Sequence, residues 1–139
     1  TFVNFYNRLM LKDGHLSKLE REMIAVVVSS CNKCFYCLIA HGAAVRQLSK
    51  NPILGDELVI NYRAANLNER QKLMLDFAAK LTEEPSKVDN LDRNILRKAK
   101  FSDEEILEII EVTSFFNMSN RIAIGTDMRP NTEYHNLAR

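Results

Sequence analysis

Residues 17–29 read Ser17-Lys18-Leu19-Glu20-Arg21-Glu22-Met23-Ile24-Ala25-Val26-Val27-Val28-Ser29. The opening is a helix-start signal. The Ser17 hydroxyl can accept from the backbone N–H three residues on, and Glu20 can reach back to the N–H of Ser17. Leu19, Met23, Val26 and Val27 then recur at helical spacing. The β-branched run Val26-Val27-Val28 would also suit a strand. The capping box, and the lack of a second β-rich segment to pair with, decide for a helix over about Lys18–Ser29.

The flanking sequence is punctuated in the same way. Phe2–Leu11 predicts a short helix that stops near Gly14. Asn32-Lys33 marks a local break, and a second helix runs from about Cys34 to Ser49, ending before Pro52. Asp56–Ala65 predicts a third. Asn68, with Gln71 three residues later, caps a fourth, whose buried stripe is Leu73, Met74, Phe77, Ala78 and Leu81. Leu91–Ala99 predicts a fifth. Ser102-Asp103-Glu104-Glu105 is a second clear capping box with an acidic first turn suited to the helix dipole. It opens a long helix carrying Ile106, Ile109, Ile110, Thr113, Phe115 and Phe116 toward about Ile124. Thr126–Arg139 is polar and reads as irregular.

With 4 Gly and 3 Pro in 139 residues, a turn-rich sandwich or barrel is excluded. The expectation is one all-α domain over residues 1–139, with six or seven helices whose apolar faces continue into an oligomer interface. Lys plus Arg is 19 and Asp plus Glu is 18, so no single-sign field invites nucleic acid or an anionic membrane. The longest apolar run, Met23–Val28, is far too short to span a bilayer. Residues 1–11 lack the features of a signal peptide, and with three thiols in the chain the expected location is the cytoplasm. Because it starts at Thr1, the sequence reads as a processed or truncated piece.

All three cysteines, Cys31, Cys34 and Cys37, lie within seven residues. That spacing cannot staple distant parts of a fold, so a redox, catalytic or metal role is indicated. In a helix, Cys34 and Cys37 would stand one turn apart, with Cα atoms roughly 5–6 Å from each other, within disulfide range. Such a bond braces almost nothing; its use is to be made and broken. His41 follows four residues after Cys37, on the same helix face, placed to take a thiol proton. The helix N-terminus is expected to favour thiolate. His15 and His135 have no such register. Cys31, Cys34, Cys37 and His41 also spell C-x2-C-x2-C-x3-H, a spacing that iron–sulfur or zinc sites use. The flanking Phe35, Tyr36, Leu38 and Ile39 belong in a packed helix rather than a cluster loop. No metal, haem, flavin or phosphate cradle is called for.

The segment from Leu19 to Ser29, followed by Cys34-x-x-Cys37-x-x-x-His41-Gly42, resembles the alkylhydroperoxidase AhpD-like group of the carboxymuconolactone decarboxylase superfamily. More narrowly, it is similar to the subgroup called uncharacterised peroxidase-related enzymes. The resemblance continues in Asn61–Ala65, Phe101–Ile106, Phe116-Asn117-x-x-Asn120-Arg121 and Glu133–Arg139, and so covers nearly the whole chain. It implies a Glu-x11-Cys-x2-Cys-x3-His site made of Glu22, Cys34, Cys37 and His41. Cys37 is then the peroxide-attacking thiol, and Cys34 the more accessible, resolving thiol that meets the reductant. His41 is the proton acceptor, and Glu22 holds and tunes it. Read without the family, Glu22 would equally be an exposed salt-bridge partner of its helix. Relatives assemble as homo-oligomers, commonly trimers or hexamers. The founding peroxidase has His where this chain has Tyr36, and Cys31 lies outside the signature. Cys31 reads either as an inert buried thiol or as a competitor for Cys34.

The function expected is a thiol-dependent peroxidase or disulfide reductase acting on alkyl hydroperoxides. A dithiol, a lipoyl group or a thioredoxin-like protein would regenerate it. Two alternatives are carried: a carboxymuconolactone decarboxylase-like enzyme, which needs no redox dithiol, and a non-catalytic redox sensor or metal-binding protein.

Overall fold

The computed structural model describes residues 1–139 and is all-helical, with seven α-helices and no strand. They are α1 (Phe2–Tyr6), α2 (Lys18–Asn32), α3 (Phe35–Ser49), α4 (Pro52–Asn61), α5 (Glu69–Glu83), α6 (Asn90–Lys98) and α7 (Asp103–Gly125). The expected capping boxes at Ser17, Asn68 and Ser102 are all formed. A fourth, at Asp89, opens α6.

The centre is α2. Its residues Arg21 through Ser29 are buried without interruption, and α3, α4, α5 and α7 all pack against it. A helix covered on every side needs no polar stripe, which is why Val26-Val27-Val28 is tolerated there. Arg70 on α5 pairs with Glu20 and Glu105, the capping glutamates of α2 and α7, and lies 3.9 Å over the Phe101 ring. One guanidinium thus ties two helix starts to a third helix.

Several boundaries differ from the sequence reading, each for a local reason. Phe2–Leu11 is not one helix: α1 passes into a π-helical turn over Asn7–Leu11. The helix read as starting at Asp56 starts at Pro52 and stops at Asn61, followed by a 3-10 turn over Tyr62–Ala64. Asn51 is its N-cap, accepting from the N–H groups of Ile53 and Leu54, and Pro52 fills the first position, where no N–H is needed. The tail holds a 3-10 turn at Thr132–His135.

Helix α2 runs past Ser29 to Asn32 and ends with Lys33 in the left-handed region, φ 56°. The Lys33 N–H donates to the Ser30 carbonyl and the Cys34 N–H to the Ser29 carbonyl. This paired closure turns the chain sharply. Cys34 therefore stands in extended conformation as the N-cap of α3, not inside it.

Two buried arginines fasten the irregular segments. Nη1 of Arg21 donates to the carbonyls of Leu9 and Lys12, both at 2.8 Å. Its Nε lies 3.5 Å from Oε1 of Glu108, whose Oε2 accepts from the N–H groups of His15 and Leu16. Arg46 donates to the carbonyls of Leu137 and Tyr134, at 2.9 and 3.0 Å, and holds the tail on α3. Gly55 makes room for it, since a Cβ there would come within 2.7 Å of the Arg46 side chain.

Glu108→Ala strands a buried guanidinium and two backbone donors, so it should cost about 3–5 kcal/mol of unfolding free energy in a urea titration. A loss under 1 kcal/mol would show that this pair does not anchor the loop.

Candidate active site

Glu22 enters the site from α2. It belongs to the continuously buried stretch and is 6% exposed, so the reading as a solvated helix salt bridge is set aside. Its partner is His41 of α3, 8% exposed, whose Nδ1–H donates to Oε2 of Glu22 at 2.6 Å. A carboxylate on Nδ1 fixes the imidazole orientation and leaves Nε2 as the free ring nitrogen. Phe116 packs edge-on against the ring at 4.7 Å between centroids, and Tyr6 lies at 6.4 Å.

Both residues line a cavity of about 440 Å³. Its walls are mainly apolar. Phe2, Val3 and Tyr6 come from α1, Phe116 and Ile122 from α7, and Met128, Tyr134 and Leu137 from the tail. The size and lining suit a small organic molecule with one polar end. The tail residues are there because Arg46 holds them.

Cys34 and Cys37 are free thiols, each 1% exposed, packed with Ala123 and Tyr36 in a small cluster apart from the main core. The expectation that Cys34 is the more accessible is therefore corrected: the turn after α2 tucks it under the end of α7. The expected lowering of the thiol pKa at a helix start is corrected for Cys37 too. Burial pushes the Cys37 thiol well above its ordinary pKa, and the hydrogen bond and charge of neighbouring Cys34 add to the rise. The polar side chains of Asn120 and Ser29 act in the opposite direction on the Cys37 thiol.

Ser29 and Asn120 were not singled out from the sequence. Asn120 Nδ2 donates to the Ser29 hydroxyl at 2.9 Å, and its Oδ1 accepts from Asn32 at 3.0 Å. Both are completely buried. A clue existed: each is a polar residue at helical spacing from the buried apolar positions of its helix, and such residues need a buried partner.

Cys31 belongs elsewhere. It packs against the main core, near the Glu83 carboxylate. Burial, and then the Glu83 carboxylate, push its pKa up to about 11. Its separation from the other two thiols matches the inert-thiol reading. No three His, Cys, Asp or Glu side chains gather as a metal site would require. Tyr36 lines the cavity beside Cys37, and burial raises its pKa, followed by Tyr134 and Cys37. A phenol so placed cannot serve as a base near neutral pH.

No helix is long and apolar enough to cross a membrane. The carboxymuconolactone decarboxylase family model matches residues 1–59, the span that holds all four signature residues. No curated protein matches the chain. Among solved structures, an uncharacterized peroxidase-related protein from Silicibacter sp. TM1040 is 60% identical, with a TM-score of 0.98 over 99% of this chain and 72% of that one. An alkylhydroperoxidase AhpD core protein from Ralstonia eutropha JMP134, also peroxidase-related and uncharacterized, is 43% identical, with a TM-score of 0.96 over 99% and 73%. The debrominase Bmp8 is 17% identical with a TM-score of 0.82 over 99% and 73%, a likeness of fold alone. A buried Glu–His pair beside two adjacent thiols, a seven-helix fold and these relatives agree, and the chain belongs to the alkylhydroperoxidase AhpD-like group of the carboxymuconolactone decarboxylase superfamily.

Proposed function

We propose that the protein is a thiol-dependent peroxidase that reduces organic hydroperoxides through Cys37 and Cys34. The observation that carries this reading is the 2.6 Å Glu22–His41 pair at the wall of an apolar cavity, one helical turn from a buried dithiol. A thiol that burial keeps protonated cannot attack unaided. It needs a base within the protein, and His41 is the base that α3 presents.

His41 takes the Cys37 proton through its free Nε2, and Glu22 stabilises the imidazolium across Nδ1. Ser29 and Asn120 support the thiolate by donating to sulfur. Cys37 attacks the outer peroxide oxygen, the O–O bond breaks, and the alkoxide takes back the proton from His41. The products are Cys37 sulfenic acid and an alcohol. The Cys34 thiol then displaces water from the sulfenic acid, giving the Cys34–Cys37 disulfide. An external dithiol, lipoyl or thioredoxin-like reductant restores both thiols. The exposed Phe2, Val3, Ile122 and Ile124 are apolar surface that a homo-oligomer, a trimer or hexamer as in relatives, would cover.

One equivalent of cumene hydroperoxide added to the reduced protein should give a Cys34–Cys37 disulfide by peptide mass spectrometry. Dithiothreitol should reverse it, and Cys37→Ser should abolish it. Cys31→Ser should oxidise within about twofold of the wild-type rate, because Cys31 lies outside the pair. Three unreacted thiols in the wild type would overturn the proposal and turn attention to decarboxylase-type chemistry.

His41→Gln should slow Cys37 oxidation about 10²–10³-fold. The sign of its pH dependence follows from the raised thiol pKa. Below that pKa the thiolate fraction grows tenfold per pH unit, so the variant's rate should climb with a slope near one across roughly pH 6–9. With His41 present the profile should be flatter. Equal rates and parallel profiles in stopped-flow measurements would remove His41 from the proton relay.

A further inference from the structure

Two recesses share a wall near the start of α3. The larger is the 440 Å³ cavity lined by His41 and Glu22; Cys34 is not among its lining residues. The smaller, about 180 Å³, is lined by Cys34; His41 and Glu22 are not among its lining residues. Tyr36, Ala123 and Met128 line both and form the partition between them. Cys34 thus lines the smaller recess, whereas Cys37 lines neither; its α3 neighbours Tyr36 and His41 reach the larger one.

The mouths differ in chemistry. The larger is mainly apolar, with Gln47 and Ser119 beside the Glu–His pair and no lysine or arginine. The smaller carries Lys33 and Arg129 against a single carboxylate, Asp127, with the Phe35 ring beside them. Lys33 is held at the rim by the left-handed turn that ends α2. Arg129 is held by Asp127 at 3.1 Å and lies 5.9 Å over the Phe35 ring. Both cations are solvent-exposed, so an anion approaching them keeps most of its hydration.

We infer that the smaller recess is the reductant entrance and that it takes a small thiol bearing an anionic group, while the hydroperoxide enters from the larger side. This rests on the peroxidase reading above. The volume corresponds to about six water molecules, enough for a short thiol arm and far too little for a folded surface. The excess positive charge at the rim raises the local concentration of anionic thiolates. The geometry also sets which sulfur is attacked. A thiolate arriving here meets Cys34, and Cys37 leaves toward Ser29, Asn120 and His41, the groups suited to receive it.

The step balances as follows. A thiolate RS⁻ attacks Cys34 Sγ and the Cys34–Cys37 bond breaks. Cys37 departs as thiolate and takes a proton, leaving a mixed Cys34–S–R disulfide. A second RS⁻ attacks the R sulfur, releasing RSSR and the Cys34 thiolate, which is protonated from solvent. Two external thiols are oxidised and one protein disulfide is reduced.

The test separates the half-reactions. The disulfide form is prepared with one equivalent of cumene hydroperoxide and its reduction is followed by stopped flow. The probes are 3-mercaptopropionate (anionic) and cysteamine (cationic), with rates expressed per thiolate. In the wild type the anionic thiol should react faster. In Lys33→Glu/Arg129→Glu the preference should fall at least about tenfold at low salt, and the difference should shrink at high salt. The oxidation half-reaction should not follow the thiol's charge. An unchanged anion-to-cation ratio would overturn the inference, as would equal slowing of both probes. Failure of the hydroperoxide to form the disulfide would instead sink the peroxidase reading. The disulfide can then be installed with diamide and the charge test still run.

Discussion

Burial of α2 on every side is the constraint on which the rest depends. Nine consecutive residues of that helix, Arg21 to Ser29, have no solvent face. Apolar members of the stretch satisfy this condition by packing. The three polar members cannot, because a buried polar or charged group without a partner costs several kcal/mol. Arg21 is answered by backbone carbonyls and Glu108. Glu22 is answered by His41, and Ser29 by Asn120. Each pairing draws a second element into fixed register with α2: the N-terminal loop and α7 through Arg21, α3 through Glu22, and α7 again through Ser29. The site is a product of the same requirement that organises the core.

That requirement also explains the chemistry of the thiols. Placing Cys37 in a dry cluster with Ala123 and Cys34 makes its ionisation unfavourable, against the expectation from a helix start alone. A partial dipole charge at an N-terminus is a fraction of an elementary charge, whereas desolvation acts on the whole thiolate. A sulfur so placed stays protected from casual oxidation. In the proposed mechanism its reactivity depends on groups that act only when correctly positioned, namely His41 on the next turn of α3 and the polar side chains of Ser29 and Asn120. Cys31, one turn earlier, lacks those neighbours and faces Glu83, so its similar pKa rise has no comparable relief.

The irregular parts do not merely connect helices. Arg46, buried in α3, fixes the tail by two carbonyls, and those same tail residues close one wall of the cavity. The α1 segment closes another, with Phe2 and Phe5 both at 5.1 Å from the Phe115 ring. The shape of the cavity thus rests on contacts between chain segments 90 or more residues apart in places. The left-handed closure at Lys33 has a similar role on the other side, since it turns Cys34 away from the large cavity and toward the small recess.

The sequence by itself determined what is local. Capping boxes at Ser17, Asn68 and Ser102 were legible because they involve groups three residues apart. The helical spacing of Met74, Phe77 and Ala78 was legible because burial of one face repeats every turn. The adjacency of Cys34, Cys37 and His41 followed from helix geometry, and the pairing with Glu22 was reachable only through family resemblance. The end of α3 before Pro52 was read correctly, but the start of α4 there was missed because Asn51-Pro52 serves both endings and beginnings, and only the Asn51 side-chain bonds mark the start. Tertiary structure alone decided that Glu22 is buried, that both thiols are dry, that Asn120 pairs with Ser29, and that Cys34 lines a recess separate from the Glu–His cavity. Each of these depends on which groups lose water when distant segments pack, and desolvation is a property of the assembled interior that no local pattern encodes.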